Sequence, residues 1–91
     1  MALTYTVVIL HEQDGRYSAI VPALDVASWG YTVPEALRMV EEGLIGYLEC
    51  IKIHGEPIPP DSETFTLEMG DATDAVIYKV TVEVPEAVPV V

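Results

Sequence analysis

His11, Cys50 and His54 are the imidazole and thiol groups of this 91-residue chain, and they lack the CxxC or HxxH spacing of zinc sites. Cys50 and His54 stand four apart, so on a helix they share a face, but a third metal ligand would have to be a carboxylate. A small apolar cysteine and a histidine at a helix C-terminus account for the same residues without a metal. Fifteen carboxylates are available. A two-metal nuclease wants them side by side on strand interiors, whereas Asp14, Asp25, Asp71 and Asp74 fall in turns and only Glu83 lies within a strand pattern. Ser18, Ser28 and Ser62 carry no nucleophile elbow, and no glycine loop cradles a phosphate. The motif inventory therefore predicts a protein that is not an enzyme, with no cofactor and no metal.

Charge narrows the partners. Fifteen acids against four bases give −11 at neutral pH. That field repels nucleic acid and anionic membranes, both of which need lysine and arginine to neutralise phosphate. It favours a basic protein. Residues 56–91 carry eight acids and one lysine, net −7, against −4 for residues 1–55. One cysteine rules out an internal disulfide and fits a reducing compartment. Neither a signal sequence nor an apolar run long enough to span a bilayer is visible, which predicts a cytoplasmic protein.

The elements that must position these residues follow from period and punctuation. A chain of this length, 51% apolar, holds one two-layer core, predicted over residues 1–84 with a loose tail over 85–91. Residues 3–11 alternate Leu3, Tyr5, Val7 and Ile9 with Thr4, Thr6, Val8 and Leu10, the pattern of a strand. Asp14-Gly15 supplies positive-φ residues for a hairpin turn, residues 16–21 return as a second strand, and 26–29 complete a meander closed by Gly30. Thr32 is an N-cap with Glu35 three residues on, and Pro34 fits the first turn. Val33, Leu37, Val40, Leu44, Tyr47, Leu48 and Ile51 then form one apolar stripe. Gly55 and the prolines beyond it end a helix over about 33–54.

A second stripe on the helix, Met39, Gly43, Gly46, Cys50 and Ile53, reads either as a thin back face or as a strip for close approach by another chain or by the C-terminal segment. After the prolines, 64–69 alternates Phe65 and Leu67 with polar residues and predicts a short strand. Residues 70–74 read as a loop, and 76–84 as the closing strand. The fold class is α+β in two layers: a three-stranded antiparallel meander, one helix, then one or two further strands.

Pro22-Ala23-Leu24-Asp25-Val26-Ala27-Ser28-Trp29-Gly30-Tyr31-Thr32-Val33-Pro34-Glu35-Ala36-Leu37 resembles the signature stretch of the HicB-like antitoxin family, in which Pro-x-Leu leads through a short strand to Gly-x-Thr-x-x-Glu-Ala-Leu. The Asp14-Gly15 hairpin, the helix from Glu42 to Leu48 and Gly55-Glu56-Pro57-Ile58-Pro59 are similar to its turn, helix and post-helix hinge. Asp25-Val26-Ala27 stands where many relatives have Pro-Gly-Cys. Only about 30 residues follow Pro60, reading as strand and acidic loop, so the resemblance is to the form without a C-terminal DNA-binding module. It implies a partial ribonuclease-H-like β-β-β-α-β fold without catalysis, and a protein that binds and neutralises a small, basic HicA-type toxin that cleaves mRNA. An alternative within the same fold is a stand-alone oligomeric module with no toxin partner. Homo-oligomers, dimer or tetramer, are expected either way, because a small sheet leaves free strand edges.

The acidic groups placed to meet a basic partner are Glu35, Glu42 and Glu49 on the helix, and Asp61, Glu63, Glu68, Asp71 and Asp74 later. Each is also accounted for by simple solvation, and an exposed pair contributes only ~0.2–1 kcal/mol. Trp29, beside Gly30, is either a buried lid over the helix start or an exposed interface anchor.

Overall fold

The computed structural model describes residues 1–62 and 64–85. Four strands and one helix follow in the order β1 (Ala2–His11), β2 (Tyr17–Val21), β3 (Val26–Gly30), α1 (Val33–Ile53) and β4 (Asp74–Glu83). The strands make one antiparallel sheet in the order β3-β2-β1-β4. The expected meander, helix and closing strand are all present. Glu63 and the expected tail beyond Pro85 lie outside the described residues.

The β1–β2 turn closes with the Glu12 amide donating to the Arg16 carbonyl and the Gly15 amide to the Glu12 carbonyl. Only Gly15 of the Asp14-Gly15 pair is left-handed, at φ +91. The loop is a three-residue turn ending in a glycine, not a two-residue turn with two positive-φ positions. At the helix start the Thr32 hydroxyl accepts from the Glu35 amide at 3.2 Å. The Glu35 carboxylate accepts in return from the Tyr31 amide, also at 3.2 Å, one residue earlier than in the reciprocal capping box. At the far end Gly55 donates to the Lys52 carbonyl and Glu56 to the Ile51 carbonyl, the paired bonds of a glycine-terminated helix.

The core is Tyr5, Val7 and Ile9 of β1, Ala19 and Val21 of β2, and Val80, Val82 and Val84 against Ala36, Val40, Leu44 and Leu48 of the helix. Tyr47 departs from the predicted stripe: it is 40% exposed, and Ala36 faces the sheet in addition. The second helix stripe is largely exposed: Met39, Cys50 and Ile53 are exposed, nothing lies within 4 Å of a Cβ placed on Gly46, and one placed on Gly43 meets Val26 Cγ1 at 3.7 Å.

The other side of the sheet is not bare. Thr6, Val8 and Leu10 point away from the helix, yet all three are buried. Residues 61–72 start at Asp61, which is bonded to Thr6, and lead to Thr73, whose amide donates to the His11 carbonyl at 2.8 Å. The predicted strand over 64–69 does not form. Phe65, Leu67 and Met69 are half-buried and alternate with exposed Thr64, Thr66 and Glu68. Such alternation records one covered side; a ladder also needs backbone partners, and the only such bond to this segment among the described residues runs from the Ala72 amide to the Met69 carbonyl. No helix among the described residues is long and apolar enough to cross a membrane.

Candidate functional site

Strand alternation decides where Trp29 goes. Trp29 lies opposite Ser18 in the β2–β3 pairing, on the face away from α1, and it is 46% exposed. It is an exposed side chain rather than a lid over the helix start. Gly30 is what fits against the helix: a Cβ there would stand 2.6 Å from the Ala36 amide nitrogen. The absence of a side chain at Gly30 lets β3 end against the first turn of α1, and the next residue back then faces outward.

Around Trp29 the outer face forms an open hollow of about 600 Å³. The β1–β2 hairpin supplies Glu12, Asp14 and Arg16, β2 supplies Ser18, and the loop before β4 supplies Asp71. The Arg16 guanidinium stands 5.1 Å from the centre of the Trp29 ring, and Tyr31 meets that ring edge-on at 5.2 Å. Asp14 grips Arg16 through Nη2 at 2.6 Å, Nε at 2.7 Å and the backbone amide at 3.0 Å. Those bonds hold the Asp14 carboxyl below the usual carboxylate range and raise Arg16. Ser18 donates to Glu12 at 3.0 Å. Arg16 is thus neutralised internally, and the rim remains acidic through Glu12 and Asp71. An aromatic face beside carboxylates suits an ammonium or guanidinium group.

Asp61 has a different role. Its carboxylate accepts from the Thr6 amide at 2.9 Å, the Thr6 hydroxyl at 2.7 Å and Lys79 Nζ at 3.0 Å. Burial pushes this carboxyl up, but the Thr6 donors and the Lys79 charge outweigh burial and hold it at about 2. Asp61 is an internal strut that satisfies an amide of β1 beyond the reach of β2. Nearby, the Tyr5 hydroxyl donates to the Pro59 carbonyl at 2.6 Å. Burial, then the charge of Asp61 and the neighbouring Tyr47, pushes that phenol up.

Of the residues singled out in the sequence, the fold brings Trp29 and Asp71 together. Glu35 is spent on the helix start. Glu42 is exposed and Glu49 half-buried on α1, across the sheet from the hollow. Glu68 is exposed within 61–72, and Asp74 is exposed at the start of β4. Glu63 is outside the described residues. Glu12, Asp14 and Arg16 were not legible as site residues, because a hairpin turn is polar for its own reasons. Their one signal was position, two residues either side of the turn that faces Trp29. Cys50 and His54 meet at 3.6 Å, and His54 Nδ1 donates to the Cys50 carbonyl at 2.8 Å. That nitrogen serves the helix end.

No family model matches the chain. It is 41% identical over 61 residues to the UPF0150 protein Ta0767 of Thermoplasma acidophilum, a match covering 66% of this chain and 88% of that one. In three dimensions it is similar to the N-terminal domain of Burkholderia pseudomallei antitoxin HicB, with a TM-score of 0.68 and 22% identity over 90% of this chain and 100% of that one. The β-β-β-α-β arrangement is the fold of the HicB N-terminal domain, and by its kinship to Ta0767 the chain belongs to the UPF0150 family.

Proposed function

We propose that this chain is an antitoxin that grips and neutralises a small, basic HicA-type mRNA-cleaving toxin in the cytoplasm and catalyses nothing itself. The observation that carries the reading is the agreement of the fold with the whole of the HicB N-terminal domain. The Trp29 hollow adds a surface suited to lysine and arginine, and the net charge of −11 steers a basic nuclease toward it while repelling that nuclease's RNA. Nucleic acid and membrane are not direct partners in this reading.

The test is co-purification with the product of a neighbouring small basic reading frame. A complex should form at low salt, weaken as salt rises, and suppress RNA cleavage by the partner. Failure to associate at low salt, or an uninhibited nuclease in the presence of excess chain, overturns the reading. A second reading is a stand-alone oligomeric module without a toxin. It predicts self-association with no such partner.

A further inference from the structure

The two edges of the sheet are unequal. β3 is five residues long, whereas β4 runs for ten with every residue in register against β1. The Val84 amide donates to the Met1 carbonyl at 2.9 Å, and the Met1 ammonium to the Val84 carbonyl at 3.0 Å. Reciprocal pairs recur at every second residue of an antiparallel ladder. The even-numbered residues of β4 therefore bond to β1. Ala75, Ile77, Lys79, Thr81 and Glu83 turn their N–H and C=O groups outward, and no backbone group meets them among the described residues.

Edges of this length are ordinarily guarded by a proline, a bulge or a lysine. β4 contains no proline. Its lysine, Lys79, reaches back to Thr6 and Asp61. Val76 and Ile77 are 48% and 60% exposed.

We propose that β4 pairs antiparallel with β4 of a second copy, about a two-fold axis through Lys79, joining two four-stranded sheets into one. This register alone sets all five outward residues opposite one another: Ala75 with Glu83, Ile77 with Thr81, and Lys79 with its own mate. Val76 then faces Val82 and Tyr78 faces Val80. Asp74 lies opposite Val84, so no two carboxylates of the strands confront each other. The two Lys79–Asp61 pairs meet at the axis as two cations and two anions. A ten-residue strand is about 34 Å long. With the molecule's smallest extent of 18 Å, the strip is about 600 Å² per copy, or about 1,200 Å² in total, the lower end of specific interfaces. A second copy fits because two-fold pairing asks only for the same free edge on both sides. The dimer is compatible with toxin binding and with its absence, since the Trp29 hollow is built on β2 and β3, toward the opposite edge of the sheet.

Sedimentation velocity of the 91-residue chain under reducing conditions, over a concentration series at two salt levels, is the test, with amide hydrogen exchange read residue by residue. A reversible dimer should appear and tighten as salt screens the −11 charge of each copy, the opposite of the salt response of a basic partner. In the dimer the amides of Ile77, Lys79 and Thr81 should exchange at least about tenfold more slowly than in the monomer. Ile77→Pro removes one outward donor and leaves the β1 ladder intact, and should weaken the dimer at least about tenfold. If that variant does not fold, the exchange of the unmodified chain decides alone. A monomer at every concentration, a dimer with unprotected outward amides, or a folded Ile77→Pro chain that dimerises undiminished overturns the proposal.

Discussion

Replacing Asp61 by alanine removes the acceptor for the Thr6 amide and hydroxyl and the counter-charge of Lys79. Two routes give its cost. A carboxyl held at about 2 against an ordinary 3.8 contributes at most ~2.5 kcal/mol at neutral pH. Lys79 is 64% exposed, so its share is screened by water and salt, and ~2 kcal/mol is the working figure. Independently, Thr6 is 3% exposed, and a buried amide stripped of its acceptor costs about 1–3 kcal/mol. Asp61→Ala should therefore lose about 2 kcal/mol, lowering Tm by roughly 10–15 °C in a domain of this size. Asp61→Asn, which retains an acceptor for the amide, should lose less. The sign with pH follows from a folded value below the unfolded one: the stabilisation is complete above about pH 5, is lost as pH falls through 3.8 toward 2, and is about half gone at pH 3. Urea unfolding followed by far-UV circular dichroism, wild type against Asp61→Asn at matched pH, measures this difference, and contributions common to the other carboxylates cancel. An alanine variant as stable as wild type at pH 7, or an Asn penalty that does not shrink between pH 5 and 3, refutes the assignment of Asp61 as a strut.

Three further outcomes are expected. Gly30→Ala places a Cβ 2.6 Å from a backbone nitrogen of α1, and the strand–helix junction must shift, costing about 1–3 kcal/mol by chemical denaturation; an unchanged midpoint contradicts the close approach. Thr32→Ala removes the acceptor for the Glu35 amide and should cost about 1 kcal/mol, with helix content by circular dichroism preserved at low temperature. Trp29→Ala should leave the unfolding midpoint nearly unchanged, since the ring is half exposed, while reducing affinity for a basic partner at least about tenfold by calorimetry. Unfolding by Trp29→Ala would show instead that the ring supports the core.

Sequence periodicity alone determined the order of elements. The two-residue alternation of β1 and β4, the glycine at the first hairpin, the Thr32 cap and the Gly55 stop each act within a few residues, so local chemistry suffices to read them. The net charge, and with it the sign of any partner, is likewise a property of composition. Tertiary structure decided everything that depends on what lies opposite. The alternation at 64–69 looked like a strand because half-burial and pairing leave the same pattern; only the fold shows that, among the described residues, no strand of the sheet bonds to this segment's backbone. Asp61 looked like one surface acid among many until the fold set it against the Thr6 amide, 55 residues away in the chain. Trp29 was legible as important but not in direction: the side it faces is fixed by how closely Gly30 approaches the backbone of α1, and the identity of a tryptophan carries no information about that distance.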